Sequence, residues 1–411
     1  MQVAQAVILC GGRGERLRPL TDIKPKPMVD LNGRPFLYFL LEQLAENGIR
    51  RFVLLTGYLG EQIVEYFGDG SSRGWSIEYS HGPVEWLTAR RVYAAIDQID
   101  QQFLLLYSDN FAQLHLKELH QICSDNQSAI TLSVVRKSPG NIQMNVNNLV
   151  TSYDLSRSDV GADLVEIGYS LVVKYKIFTH LKKYKSENFS SVIKCLTEAN
   201  QVTAVIVNSG YQSISDPLRL ATTAEHLRYH RILLLDRDGT LNVKPRRGEY
   251  VNSVQEFRWI ESSQEALKTL GQRGFSFIII SNQAGVATGA TTPENLKEIN
   301  EYVRSEFLNL GLRLLDIYVC TDHWSSQSQF RKPNPGMFFA AARDHSFRLD
   351  HSIYVGDDDR DALAAENAGC KCVLVTQENI DAESRSRVVS IGKSLTDLVP
   401  TIIDKYETWG N

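Results

Sequence analysis

The stretch Ile232-Leu233-Leu234-Leu235-Asp236-Arg237-Asp238-Gly239-Thr240-Leu241 sets four aliphatic residues directly against two carboxylates one residue apart. A short apolar run closed by Asp and Gly reads as a buried strand that ends in a turn. Two carboxylates just past a strand tip can aim at one point, where one attacks phosphorus and the other handles a proton. Like charges that close need a cation. A surface turn would explain Asp-Gly alone, but three further pieces follow in order, each past an apolar run. Ser281-Asn282-Gln283, after the run 275–280, offers a hydroxyl and an amide to a phosphoryl oxygen. Arg331-Lys332-Pro333-Asn334-Pro335-Gly336-Met337, beyond the run 317–320, adds fixed positive charge. Gly356-Asp357-Asp358-Asp359-Arg360-Asp361, after the run 352–355, supplies carboxylates suited to Mg²⁺.

Outward from this stretch, strand-length apolar runs alternate with helical patterns over the whole chain. In the first half strands are expected at 4–9, 52–56, 76–79, 103–107 and 129–135, with helices at 35–47 and 84–96. The pattern restarts with strands at 232–235, 275–281, 317–320, 352–355 and 371–375, separated by helices at 263–272, 293–309, 335–344 and 360–367. This is the signature of α/β architecture with largely parallel sheets, here two doubly wound domains. A helix at 217–230 carries the chain from one to the other, so the domains are expected at 1–229 and 230–411, each large enough for its own core. No internal repeat relates them.

Forty-four Lys and Arg against forty-eight Asp and Glu leave a net charge of −4. With no basic run, nucleic acid and anionic membranes are not expected partners. No apolar stretch approaches the roughly 20 residues of a membrane span. The N-terminal segment has no Lys or Arg before its apolar run, unlike a signal peptide, so a cytoplasmic location is expected. Six irregularly spaced cysteines fit reduced thiols. Cys370 and Cys372 read as buried thiols, with a metal or redox pair as the alternative.

A second phosphate loop follows the first strand, at Cys10-Gly11-Gly12-Arg13-Gly14-Glu15-Arg16-Leu17-Arg18-Pro19-Leu20-Thr21. Glycines admit phosphate close to the backbone, and Arg13, Arg16 and Lys26 supply compensating charge. The loop is neither a dinucleotide fingerprint, since Leu17 replaces the third glycine, nor a P-loop. With Lys24-Pro25-Lys26-Pro27-Met28, Asn32-Gly33-Arg34-Pro35-Phe36 and the segment 57–67, it resembles the signature of sugar-1-phosphate nucleotidyltransferases. The likeness spans about residues 4–110 and thins toward 228. It implies that a sugar phosphate oxygen attacks the α-phosphorus of a nucleoside triphosphate and pyrophosphate leaves. Gly11, Gly12 and Gly14 would line the nucleotide, Arg16 would hold pyrophosphate, and Lys26 would neutralise the reacting phosphates. Asp109 takes the family's Mg²⁺ position, and Glu166 and Gly168 are candidate sugar contacts or ordinary strand residues.

Two segments depart from that family. Its Leu-Gly-Thr-Gly/Ala-Gly stretch is replaced by Trp86-Leu87-Thr88-Ala89-Arg90-Arg91, and its late Asp-Ile-Gly-Thr-Pro by Ser213-Ile214-Ser215-Asp216-Pro217. A hydroxyl at Ser213 is a poor Mg²⁺ ligand. An alternative reading therefore makes the first half a non-catalytic sugar- or nucleotide-binding module.

The ordered pieces of the second half resemble the haloacid dehalogenase superfamily over residues 231–376. The resemblance implies Asp236 as nucleophile forming an aspartyl-phosphate, and Asp238 as general acid, then base. Ser281 and Lys332 would hold the phosphoryl group. Asp236, the Asp238 backbone carbonyl and Asp357 would bind Mg²⁺, with Asp361 orienting them and Asp358 close by. The runs 235–242, 250–251 and 281–285 resemble the subgroup of heptose bisphosphate and histidinol phosphate phosphatases. The segment 243–257 is too short for a large cap. Asn282 and Arg331 are expected substrate contacts; Arg246 and Arg247 are either a second phosphate site or an exposed basic turn. That subgroup typically carries a zinc loop, but Cys320-Thr321-Asp322-His323 keeps at most two ligands where a structural site needs about four, so no zinc is expected.

Together the resemblances imply a bifunctional enzyme of nucleotide-sugar synthesis that uses sugar phosphates, a nucleoside triphosphate and Mg²⁺ in both halves. It would combine a D-glycero-D-manno-heptose 1,7-bisphosphate 7-phosphatase with a heptose 1-phosphate guanylyltransferase. Histidinol phosphate is the alternative phosphatase substrate.

Overall fold

The computed structural model describes residues 3–159, 161–208, 210–246, 248–377 and 380–410. The chain divides into two compact units, Met1–Leu227 and Arg228–Asn411, against an expected boundary at 229. The linking helix is shorter than its pattern, Pro217–His226. Among the described residues, no helix is long and apolar enough to cross a membrane.

In the first unit the strand Gln5–Cys10 is buried along its whole length and lies parallel between Arg51–Thr56 and Gln102–Tyr107. Its side chains alternate between two cores, with Ala6, Ile8 and Cys10 on one face and Val7 and Leu9 on the other. That is the period-two division expected when helices cover both faces of a sheet. Ser76–His81 extends the parallel set beyond Arg51–Thr56. On the other side the sheet turns mixed, because Leu164–Val173 runs antiparallel to both Gln102–Tyr107 and Ile130–Arg136.

In the second unit every strand pairing is parallel, in the order Arg313–Cys320, Ser276–Asn282, Ile232–Leu235, Ile353–Gly356, Lys371–Val375, Ser390–Gly392. Chain order reverses on either side of Ile232–Leu235, and ligands bind such sheets outside the carboxyl ends at the reversal. Leu233 and Leu235 enter one core, Ile232 and Leu234 the other. At about 1.5–3 kcal/mol for each fully buried aliphatic side chain, these residues anchor the strand firmly. Charge crowded at its tip must then be met by cations rather than by movement.

Candidate active sites

The tip of Ile232–Leu235 presents Asp236, whose N–H donates to the Val355 carbonyl at 2.8 Å and ties it to the neighbouring strand end. Lys332 Nζ lies 2.8 Å from Asp236 Oδ1 and 2.8 Å from Asp361 Oδ1, and donates to the Tyr354 hydroxyl at 2.6 Å. An ammonium has three N–H donors, so Lys332 is fully engaged. Carboxylate oxygens of Asp236, Asp357 and Asp361 lie within 4.8 Å of one another. Asp361 Oδ2 accepts the Asp357 and Asp358 N–H groups at 3.0 and 3.4 Å, so both its oxygens are held by protein donors.

Electrostatics state the same need. Burial, opposed by Lys332 and reinforced by Asp361 and Asp357, pushes Asp236 up to about 8. Burial and the Asp361 charge push Asp357 up to about 7. Burial works against the charged form of Lys332, but Asp236 and Asp361 outweigh it and hold the ammonium well above the ordinary lysine range. Carboxylates packed this way favour an added cation, and an oxygen-only donor set suits a hard divalent ion such as Mg²⁺. Sequence reasoning missed one cation here: Lys244 Nζ lies 2.6 Å from Asp357 Oδ2 and 3.3 Å from Asp358 Oδ2. Gly239, at φ +93°, has no alternative, since a Cβ would sit 2.2 Å from Asp357 Oδ2.

Asp238 is treated differently. Its carboxylate accepts from Arg237 at 3.0–3.2 Å, from Asn242 at 2.9 Å and from Gln283 at 2.7 Å. Burial alone would raise it, but the Arg237 guanidinium and the two amides prevail and hold it below the usual carboxylate range. The two aspartates of one tripeptide are thus pushed in opposite directions, a mark of divided acid–base roles. Gln283 also donates to Ser281 Oγ at 2.9 Å, joining Ser281 to Asp238.

These groups line a cavity of about 740 Å³ whose walls include Lys244, Arg246, Arg331, Lys332 and Arg360. Asn282, an expected substrate contact, also lines the cavity. Its amide accepts the Lys332 N–H at 3.0 Å and donates to the Lys332 carbonyl at 3.0 Å, so it fixes the lysine's backbone. Arg331 donates to the Asp322 carbonyl at 3.3 Å at the cavity wall. Arg247 lies outside the described residues. Cys320 contacts Asp322 and Ser328, while His323 Nδ1 is 2.7 Å from Ser325 Oγ; among the described residues neither joins a group of three metal ligands. Cys370 and Cys372 are buried and their thiols meet backbone carbonyls, and burial pushes Cys370 up to about 12. Such thiols are inert.

In the first unit, Gly14 at φ +64° brings the glycine loop against Lys26, where a Cβ would be 2.8 Å from Lys26 Cβ. Lys26 Nζ is 2.7 Å from Asp109 Oδ2. Arg13 and Arg16 are exposed, with Arg13 over the Tyr58 ring at 5.6 Å. Asp109, the expected Mg²⁺ ligand, pairs with Lys26 through Oδ2, and among the described residues it belongs to no group of three ligands. Ser213 does lie beside it, since Ile214 N–H donates to the Asp109 carbonyl at 3.0 Å. But Ser213 Oγ accepts from the Arg219 guanidinium at 3.2 Å, which places a cation where the resemblance implies a second metal ligand. This donor set does not fit a protein-held metal pair.

Glu166 Oε2 accepts from the Tyr153 hydroxyl at 2.6 Å, its other oxygen has no partner, and burial raises its pKa. Gly168, at φ +77°, follows from packing, since a Cβ would be 2.8 Å from the Tyr107 ring. The departing segment does not build a pocket of small residues: Thr88 Oγ1 accepts the Phe189 N–H at 2.7 Å, and Arg91 turns inward beneath the loops.

A nucleotidyl transferase family model matches residues 5–141, and a polynucleotide kinase 3 phosphatase model matches 231–379. A D-glycero-beta-D-manno-heptose-1,7-bisphosphate 7-phosphatase of Haemophilus ducreyi is 35% identical over 181 residues, 42% of this chain and 98% of that protein. A probable glucose-1-phosphate cytidylyltransferase of Bacillus subtilis is 31% identical over 202 residues, 44% of this chain and 78% of that protein. The chain belongs to the nucleotidyl transferase and heptose-bisphosphate phosphatase families. It is therefore an enzyme with a transferase unit and a phosphatase unit. Among solved structures, a D,D-heptose 1,7-bisphosphate phosphatase from B. bronchiseptica complexed with magnesium and phosphate is 26% identical. It aligns with a TM-score of 0.38 over 43% of this chain and 99% of that one.

In the phosphatase unit, sequence reasoning missed Lys244, Arg237, Gln283 and Tyr354 as site residues. Arg237 and Gln283 stood inside the quoted motifs, and their chemistry was the available signal. Tyr354 was hidden in a strand and Lys244 in an irregular loop.

Proposed function

We propose that the chain is a cytoplasmic bifunctional enzyme of nucleotide-sugar synthesis. Its phosphatase unit removes the 7-phosphate of D-glycero-D-manno-heptose 1,7-bisphosphate, and its transferase unit joins the remaining 1-phosphate to a guanylyl group from GTP. The observation that carries the reading is the cluster of Asp236, Asp357 and Asp361 on Lys332, beneath a cavity walled by further cations. The wall cations support a substrate with a second phosphate.

Asp236 attacks the phosphoryl group while Ser281 and Lys332, which gives up its contact with the attacking Asp236, hold its oxygens. Asp238 gives a proton to the leaving alcohol, then takes one from the water that opens the aspartyl-phosphate. Arg237, Asn242 and Gln283 favour its ionised form, which takes the water's proton in the second step, and that proton is the one carried over to the leaving oxygen in the first step of the next turnover. Mg²⁺, held by Asp236, Asp357 and the Asp238 carbonyl, would supply charge neutralisation at the phosphoryl oxygens. Asp361 orients this set through the Asp357 and Asp358 N–H groups. In the transferase unit the reacting phosphates are met by Lys26, Arg16 and Arg13 and by the N–H groups of the Gly11–Gly14 loop, with Glu166 facing the sugar.

One observation favours a second reading of the first unit, as a module that binds nucleotide or sugar without transfer: Arg219 at Ser213. Incubation with heptose 1-phosphate, Mg²⁺ and each nucleoside triphosphate in turn, assayed for pyrophosphate, decides between them. Release with GTP alone supports the proposal. Release with CTP instead corrects the base, and release with none supports the binding module. A parallel screen of phosphate release from heptose bisphosphate and histidinol phosphate tests the other unit; preference for histidinol phosphate overturns the heptose assignment.

A further inference from the structure

We propose that Arg91 positions the polyphosphate-binding peptide of the transferase unit from beneath the glycine loop, without touching the ligand. The inference rests on reading that loop as the nucleotide site. Arg91, on the helix Thr88–Ala94, is 5% exposed. Its hydrogen bonds run to carbonyl oxygens: Nη1 to Thr56 at 2.7 Å, Nη2 to Gly11 at 3.2 Å and Pro83 at 2.7 Å, and Nε to Trp86 at 3.1 Å. These carbonyls belong to the segments that leave Gln5–Cys10, Arg51–Thr56 and Ser76–His81, which are neighbours in the sheet. One guanidinium thus ties together three loops at the carboxyl edge, where ligands bind such sheets.

The consequence for the ligand follows from peptide geometry. The Gly11–Gly12 bond is trans, so its C=O and N–H point in opposite directions. Arg91 Nη2 and the Tyr58 N–H, at 3.3 Å, draw the Gly11 carbonyl inward. The Gly12 N–H is therefore turned outward. Gly12 is exposed, and open space surrounds the position a Cβ would take. Gly11 and Gly57 are the reverse: a Cβ would fall 2.2 Å and 2.7 Å from the Arg91 guanidinium. These two glycines make room for Arg91, while Gly12 serves the anion. A buried positive charge under outward N–H groups favours a polyanion above them. The departure at Arg91 thus furnishes the loop with a support of its own.

The test uses the full chain with inorganic pyrophosphate and Mg²⁺ as the calorimetric probe, alongside transfer kinetics. Arg91→Met is expected to weaken pyrophosphate at least tenfold and to raise the KM for nucleoside triphosphate similarly. The KM for sugar 1-phosphate stays within twofold, and phosphatase turnover on the same chain is unchanged. Arg91→Lys, which reaches fewer carbonyls, falls between. Gly12→Pro deletes the outward donor at an exposed position and reproduces the pyrophosphate loss with an unchanged melting temperature. Equal pyrophosphate affinity in wild type, Arg91→Met and Gly12→Pro overturns the proposal, as does an equal rise in both KM values or a wild type that binds no pyrophosphate. Arg91-dependent pyrophosphate binding without transfer from any nucleotide supports the assignment of Arg91 while overturning the transferase reading.

Discussion

The two units meet phosphate at the carboxyl ends of parallel strands with opposite charge balances. In the phosphatase unit three clustered carboxylates face Lys332, and burial raises Asp236 and Asp357. In the transferase unit one strand-end carboxylate, Asp109, is paired with Lys26, and Arg219 donates to Ser213 on the adjoining segment, while Arg13 and Arg16 lie exposed on the glycine loop. On the proposed reading the difference follows from where the nucleophile resides. A phosphatase of this kind supplies its own carboxylate and needs a cation before an anionic ester can approach. A nucleotidyl transferase receives its nucleophile on the substrate, and its own groups hold and neutralise the reacting phosphates.

The largest expected effect tests whether the two halves are chemically independent. Asp236→Asn abolishes phosphate release, by about three orders of magnitude or more, while pyrophosphate release stays at the wild-type rate. Matching losses in both assays would break the comparison. Lys26→Met is the converse: transfer falls by about 10²–10³, the scale of one lost electrostatic stabiliser, with the phosphatase untouched. Loss of phosphatase turnover in that variant would contradict the account.

Smaller effects sharpen the electrostatic half of the contrast. The ordinary carboxylate value of 3.8 is raised in the fold to about 8 for Asp236 and about 7 for Asp357. Raised values mean that the folded protein holds these protons more tightly than the unfolded chain. This contribution to stability is complete below about pH 4 and is lost as pH rises through 7 and 8. Chelated protein should therefore melt at lower temperature at pH 8.5 than at pH 6 in the phosphatase transition, and Mg²⁺ should offset the fall. A chelator-treated melting point that rises over this range contradicts the charge balance. Lys244→Met removes the ammonium that competes for Asp357 and should lower the Mg²⁺ concentration for half-maximal phosphatase activity by roughly three- to tenfold. An unchanged or higher requirement would show that Lys244 does not oppose the metal.

The legible part of each site was the part written immediately after a strand. Asp236, Ser281 and Asp357 follow apolar runs, and strand adjacency alone brings them together. Residues that act across the fold were not legible. Arg91 gains its role from carbonyls of residues 11, 56, 82 and 83, and Tyr354 from Lys332, which no local pattern encodes. The expected helix at 84–96 shrinks to Thr88–Ala94 for the same reason, since the carbonyls of Pro83 and Trp86 are taken by Arg91. The hold of Asn282 on Lys332 was not legible either, because its amide matches the two backbone groups of a residue fifty positions away, a fit visible only in three dimensions. The antiparallel course of Leu164–Val173 was equally hidden, because an apolar run does not record its direction.

The most direct measurement is ³¹P NMR of D-glycero-D-manno-heptose 1,7-bisphosphate incubated with the full chain and Mg²⁺. The resonance of the 7-phosphate should give way to inorganic phosphate while that of the 1-phosphate persists, until GTP converts it to a nucleoside diphosphate sugar. Loss of the 1-phosphate first, or a spectrum that never changes, would contradict the account.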